Sequence, residues 1–288
     1  VSSIDPIRVF APAKINLFLH VGDARADGYH ALQSLMAFAD IGDELAIEPA
    51  SGFSLLVDGP FAEALKGEAD NIVLRAARML AERAAVVPNA RITLTKNLPI
   101  ASGIGGGSAD AAAALRGLCK LWKVNLTEAD LQTIALSLGS DVPVCLKGRP
   151  CWVEGIGERL TVIPIFPLLH VVLANPGVSV STAQAYSTMG AGSGVAHDRP
   201  ATFRDTNALI GFLETAHNDL EEPAVRLAPV IHEVIAALCA ENSALLVRMS
   251  GSGATCFAVF GSADAARAVA ARIAAANPGW WVKVAKIQ

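Results

Sequence analysis

Charged residues are scarce in this sequence, at 17% of 288 residues, and aromatic residues scarcer still at 6%, with only two Tyr. The charges nearly cancel, to a net −4 at pH 7. A chain so balanced has no bulk attraction for nucleic acid or for an anionic membrane. Cysteine is also sparse. Cys119, Cys145, Cys151, Cys239 and Cys256 form an odd set with no C-x-x-C pair and no zinc spacing. That argues against a disulfide scaffold and for a reducing compartment, with the cysteines read as small buried hydrophobes. No stretch approaches the roughly 18 uninterrupted apolar residues of a membrane span. Residues 1–14, VSSIDPIRVFAPAK, lack the basic and then apolar pattern of a secretory leader. The expectation is a cytoplasmic protein of enzyme size.

What is abundant is apolar mass, 52% of the chain with a mean hydropathy of +0.43, delivered in short pieces by Ala, Leu and Val. That composition excludes disorder, and the length predicts about two domains. Residues 7–21 read as two short strands or one bent one, and 31–39 as strand or helical turn. Segments 44–49 and 53–59 read as a strand pair. Asn71 opens a helix to about Val86 with Ile72, Ala76, Met79 and Leu80 on one face, and 90–97 alternates as a strand. A glycine-rich loop then runs into a helix from about Ser108. A second helix spans 127–138, opened by the capping pattern Thr127-x-x-Asp130. Residues 140–160 read as short strands and turns, and 167–177 as a buried strand. Beyond it, 182–189 and 221–239 read as helices, and 190–206 as a flexible loop or lid. Strands at 244–250 and 254–261, a helix at 263–276 and a closing strand complete a β-α-α-β-β-α-β order. The fold class is α+β, divided near residue 164 into domains 1–164 and 165–288.

The glycine-rich loop carries the chemistry. Gly103, Gly105, Gly106 and Gly107 precede a helix, a pattern that brings backbone N–H groups and the helix's positive end to phosphate oxygens. It is not a Walker A loop, because no Lys follows the glycines. It is not a Rossmann fingerprint either, because Ser108 stands where the last Gly or Ala belongs. The run Pro99-Ile100-Ala101-Ser102-Gly103-Ile104-Gly105-Gly106-Gly107-Ser108-Ala109 resembles the central phosphate-binding motif of the GHMP kinases. Ala11-Pro12-Ala13-Lys14-Ile15-Asn16-Leu17 resembles that family's first motif, and Met249-Ser250-Gly251-Ser252-Gly253-Ala254-Thr255 its third. The segments DGYH (27–30) and GSDVPVCL (139–146) are similar to the branch that phosphorylates the 2-hydroxyl of a cytidine-diphosphate-linked sugar alcohol in non-mevalonate isoprenoid synthesis. Ala26, Ser102, Ser140 and Arg149 depart from the usual pattern without removing a reactive group.

The resemblance implies a two-domain GHMP kinase fold: a ribosomal protein S5 domain 2-like N-terminal domain and a ferredoxin-like C-terminal domain. It implies ATP and Mg²⁺, with residues Pro99 to Ala109 holding the nucleotide and the Ser108 hydroxyl serving phosphate or metal. It makes Asp141 the base and Lys14 the group that keeps it ionised and offsets charge on the attacking oxygen. Without it, Asp141 would pass for a turn or cap and Lys14 for a strand-edge charge. Tyr29 and His30 would grip the cytosine by stacking and hydrogen bonding, and Asn16 and Lys96 would lie near the substrate's polar groups. Ser108 also reads as a helix N-cap. His20, His170, His197, His217 and His232 show no metal spacing and read as structural or surface. The expected partners are small molecules, with no nucleic acid or membrane, and the chain acts as a monomer or weak homodimer.

Overall fold

A computed structural model describes residues 5–24, 30–67, 70–190, 192, 194 and 196–288. The chain forms two compact units from interleaved segments. One comprises Val1–Ala13, Gly42–Ile100 and Gly105–Gly148, the other Lys14–Ile41, Ala101–Ile104 and Arg149–Gln288. Strands β1 (Ile7–Ala24) and β2 (His30–Glu48) each contribute to both units. Residues 7–21 lie in one continuous strand despite Pro12, and 31–39 is strand.

In the first unit, β3 (Phe53–Asp58) runs parallel to β4 (Ala90–Thr95), and β4 runs antiparallel to the end of β2, Glu44 opposite Thr95. The expected pairing of 44–49 with 53–59 does not occur, because β4 lies between them. Its alternation buries Ala90, Ile92 and Leu94, which suits an inner strand. Parallel strands need a crossover, and α1 (Ile72–Ala84) provides it. The Asn71 side chain caps α1, accepting from the N–H of Val73 at 2.9 Å. Its buried face is Val73, Ala76, Ala77, Leu80 and Ala81; Ile72 and Met79 are only half-buried.

Helix α2 (Gly106–Trp122) begins two residues before the expected Ser108, and α3 (Glu128–Leu138) follows with Thr127 as its cap. An alanine run, Ala111 to Ala114, is wholly buried in α2. Next comes α4 (Val142–Lys147), where strands were expected. Pro143 decides against strand: it has no N–H for a ladder, but none is needed in a helix's first turn. Strands begin only at β5 (Cys151–Gly155) and β6 (Arg159–Val162).

In the second unit, β5 pairs with β6 and with the start of β2, Leu32 opposite Gly155. The remaining elements are β7 (Leu169–Asn175), α5 (Thr182–Thr188), α6 (Thr206–Leu213), α7 (Glu221–Leu227), α8 (Val230–Cys239), β8 (Ala244–Met249), β9 (Cys256–Phe260), α9 (Ala263–Ala276) and β10 (Trp281–Ile287). The sheet order β10-β7-β9-β8 is antiparallel throughout. Val172, Ala174, Ala258 and Phe260 pack against Ile231 and Val234 of α8 and Val269 and Ile273 of α9. Two helices appear beyond the expected order. Helix α6 begins at the end of the segment read as a loop. The long helix at 221–239 is two, because Pro229 forces Ala228 out of helical geometry, to φ −141° and ψ 84°. Residues 191, 193 and 195 of the expected lid lie outside the described residues. Among the described residues, no helix is long and apolar enough to cross a membrane.

Candidate active site

In the second unit, three distant segments converge on the Lys14 strand. The Lys14 ammonium is 3% exposed and donates to Asn16 Oδ1 at 2.6 Å. Asn16 is fixed in turn: its backbone N–H donates to Ser250 Oγ at 3.0 Å and its amide to Ser34 Oγ at 2.9 Å. Ser250 Oγ donates to Gly103 O at 3.0 Å, the N–H of Thr255 to Ser102 O at 3.1 Å, and the N–H of Lys14 to Ile104 O at 2.9 Å. The turn after β8 therefore locks the middle of the glycine-rich segment beside β1. Gly103 is required there: at φ +77°, a Cβ would sit 2.2 Å from the Ser250 carbonyl oxygen.

His30 opens β2 and is half-buried. Its Nδ1 lies 2.9 Å from the carbonyl oxygen of Gly22, which only an N–H can satisfy. In the neutral imidazole that puts the proton on Nδ1 and leaves Nε2 as an acceptor. The ring stands 5.6 Å from Tyr186 of α5, tilted by 32°. Tyr186 carried no signal in the sequence, a single ring in an unremarkable helix. Tyr29 lies outside the described residues.

The first unit holds the helix end. Gly105, at φ +63°, is the N-cap of α2 and offers no side-chain acceptor, so the first-turn N–H groups are left for another partner. Ser108 is the third helical residue, half-buried, and is not the cap. Pro99 and Ala109 are buried, and Ile100 is half-buried. A cavity of about 350 Å³ lies beside the start of α1, lined by Leu55, Val57, Ala62, Leu65, Asn71 and Leu74 among others. Gly107 faces the same helix start, since a Cβ on it would lie 3.8 Å from Ile72 Cγ2. Glu63, Lys66 and Gly67 complete its lining, and no motif in the sequence marks it, because its walls come from a strand, a loop and the start of α1.

Lys96 ends in a buried ion cluster, 2.5 Å from Asp43 Oδ2 and 2.7 Å from Asp110 Oδ2. Burial alone would lower its pKa, but the Asp110 and Asp43 charges outweigh that and hold it above the ordinary value. Burial pushes the Asp110 carboxyl up to about 7, against the pull of Lys96 and with the repulsion of Asp43. At 1% exposure Lys96 directs its ammonium at two aspartates, Asp43 and Asp110. Asp141 precedes α4 and is half-buried, and its carboxylate makes no capping bond to that helix. It belongs to the first unit and Lys14 to the second.

Two family models, described as GHMP kinases N terminal domain and GHMP kinases C terminal, match residues 71–149 and 200–279. The chain belongs to the GHMP kinase family. Relatives called 4-diphosphocytidyl-2-C-methyl-D-erythritol kinase share 48% identity in Paramagnetospirillum magneticum, covering 96% of this chain and 97% of that protein. In Cereibacter sphaeroides the identity is 50%, covering 96% and 98%. A crystal structure of 4-(cytidine 5'-diphospho)-2C-methyl-D-erythritol kinase superposes with a TM-score of 0.80 at 34% identity, covering 98% of this chain and 99% of that one. A homoserine kinase from Cytophaga hutchinsonii, at 20% identity and a TM-score of 0.70, shares the fold. The expected two-domain GHMP kinase architecture, mixed α+β, is therefore the one observed.

Proposed function

We propose that the chain is an ATP-dependent kinase for the 2-hydroxyl of 4-diphosphocytidyl-2-C-methyl-D-erythritol, in cytoplasmic non-mevalonate isoprenoid precursor synthesis. The observation that carries this reading is the meeting of Lys14 and Asn16, Ser102 to Ile104, and Ser250 to Thr255 in one hydrogen-bonded knot. The names of the near-identical-length relatives support the substrate.

Phosphoryl transfer asks mainly for positioning and charge neutralisation. The first-turn N–H groups of α2, uncapped by any side chain, take the nucleotide phosphates. The cavity beside Asn71 takes the base, since the starts of α1 and α2 adjoin. Among the described residues no cluster of His, Cys, Asp or Glu could hold a metal. That suits Mg²⁺, which is held mainly by waters and substrate phosphates with one or two protein oxygens, here the Ser108 hydroxyl. When bound, the metal neutralises charge on the phosphates. The substrate hydroxyl oxygen attacks the γ-phosphorus, the bond to the bridging oxygen breaks, ADP leaves, and the hydroxyl proton passes to Asp141. Lys14, held in place by Asn16, offsets the charge on the attacking oxygen. His30 Nε2 accepts from the exocyclic amine of cytosine, and Tyr29 and Tyr186 offer ring faces.

An ATP-consumption assay across a panel of alcohols, with and without a cytidine diphosphate head, tests the reading. ADP release should require the cytidine-linked sugar alcohol. Equal turnover of homoserine or mevalonate would overturn the substrate, and no ADP from any alcohol would overturn the kinase.

A further inference from the structure

Three charged side chains are buried together in the first unit: Asp43 at 0% exposure, Lys96 at 1% and Asp110 at 2%. Burying an ammonium between two carboxylates gives little net stability against an apolar core. Their connections suggest another use. Asp43 Oδ1 accepts from the backbone N–H of Asn97 at 2.6 Å and of Leu98 at 2.9 Å, which lead into the glycine-rich segment. Asp43 Oδ2 holds Lys96, and Lys96 reaches Asp110, on the second turn of α2 beyond that segment. One cluster thus grips the chain on both sides of Pro99–Gly105. Gly106 lies against it: a Cβ there would sit 3.4 Å from Lys96 Nζ and 3.6 Å from Asp43 Oδ2. Asp110 gives only one oxygen to this work; its Oδ1 is buried with no hydrogen-bond partner.

We propose that Asp43, Lys96 and Asp110 are positioning residues, which hold the backbone N–H groups at the start of α2 where nucleotide phosphates need them, without touching the nucleotide. The proposal rests on the reading of this segment as the phosphate site. Donors that bind the nucleotide phosphates must be held in place before the nucleotide arrives, because ordering them on binding costs affinity. A cluster anchored to β2, to the residue after β4 and to α2 supplies that hold from regular secondary structure.

Asp110→Asn keeps the shape of the side chain and removes the charge that holds Lys96. Binding of a non-hydrolysable ATP analogue with Mg²⁺ is measured by calorimetry on the full chain, alongside steady-state kinetics. Misplaced donors should raise the analogue Kd and the KM for ATP by about 10- to 100-fold. kcat at saturating ATP and the KM for the alcohol should change far less, with the far-UV spectrum intact. A variant that binds the analogue as tightly as wild type overturns the proposal. So does one whose kcat collapses at unchanged Kd, because Asp110 would then act on the reacting groups. Should Asp110→Asn not fold, Lys96→Met combined with Asp110→Leu removes one charge of each sign and leaves Asp43 on its two backbone donors. Wild-type affinity in that double variant is equally fatal. Wild-type chain that binds no analogue at all overturns the ATP reading itself, which separates that failure from failure of the cluster.

Discussion

Asp110 shows how much a single residue's meaning depends on burial. In the sequence it is an acid near a helix start, where a carboxylate favours the dipole. In the structure it is buried against Lys96 and Asp43, and its carboxyl is raised to about 7 from 3.8. Between those two values the folded state keeps a proton that the unfolded state has lost. Stability therefore falls as pH rises through this window and levels off above it. Asp110→Asn has no such proton, so its stability relative to wild type should climb between about pH 4 and 7. Denaturant unfolding of both proteins at intervals of pH reads this directly; parallel profiles would refute it. Asp141 makes a different prediction. Asp141→Ala should lower kcat by about 10²–10⁴-fold and leave nucleotide affinity nearly unchanged, whereas more than half of wild-type kcat would remove it from the role of base. Lys14 was legible because a lysine among Ala13, Ile15 and Leu17 is hard to bury without purpose. Lys96 was legible as a position but not in its partners, because Asp43 and Asp110 come from other elements. Tyr186 was not legible at all, since what singles it out is the His30 ring beside it, contributed by a distant segment.

Elements with strong local signals were readable in advance: the alternation of β4, and the caps Asn71 and Thr127. What failed was pairing and length. β3 and β2 look like a hairpin across a short turn, and only the inner character of β4 separates them. Helix α4 is six residues long, too short for periodicity to show. The glycine-rich segment was legible as a loop before a helix, but not the reason for each glycine. Gly103 and Gly106 differ in kind. Gly103 faces a backbone carbonyl, which cannot yield, whereas a Cβ on Gly106 would meet Lys96 Nζ at 3.4 Å, an ordinary contact. Gly103→Ala should therefore destabilise the fold by about 1–3 kcal/mol from the strained φ alone, with more from the collision. Its denaturant midpoint should fall well below that of Gly106→Ala. Equal midpoints would mean that the turn after β8 can move away from the loop.

At the scale of the whole molecule, sequence order and spatial order part company. The second unit gathers Lys14–Ile41 from one end of the chain and Arg149–Gln288 from the other. The third motif, Lys14 to Leu17 of the first motif and the His30–Tyr186 pair all belong to this unit, although 234 residues separate Asn16 from Ser250. Such convergence is invisible to any reading of local pattern, and the three motifs had to be matched as a set before it could be expected. On the proposed reading, recognition of the substrate and of the nucleotide fall to different units, since the α2 start and the cavity beside Asn71 lie in the first unit. Head-group binding can then be damaged without loss of nucleotide affinity. Tyr186→Ala should cost about 1–3 kcal/mol of stacking, a loss of roughly 5- to 150-fold in kcat/KM for the cytidine-linked alcohol. The Kd for an ATP analogue should hold, and Tyr186→Phe should be mild because the ring face remains. An analogue lacking the cytidine head makes the comparison decisive. It should react poorly even with wild type, because binding energy from the remote head helps hold the hydroxyl for attack. On that analogue Tyr186→Ala should lose almost nothing further. If the variant loses the same factor on both substrates, Tyr186 serves the packing of α5, and the aromatic pair has no part in choosing cytidine.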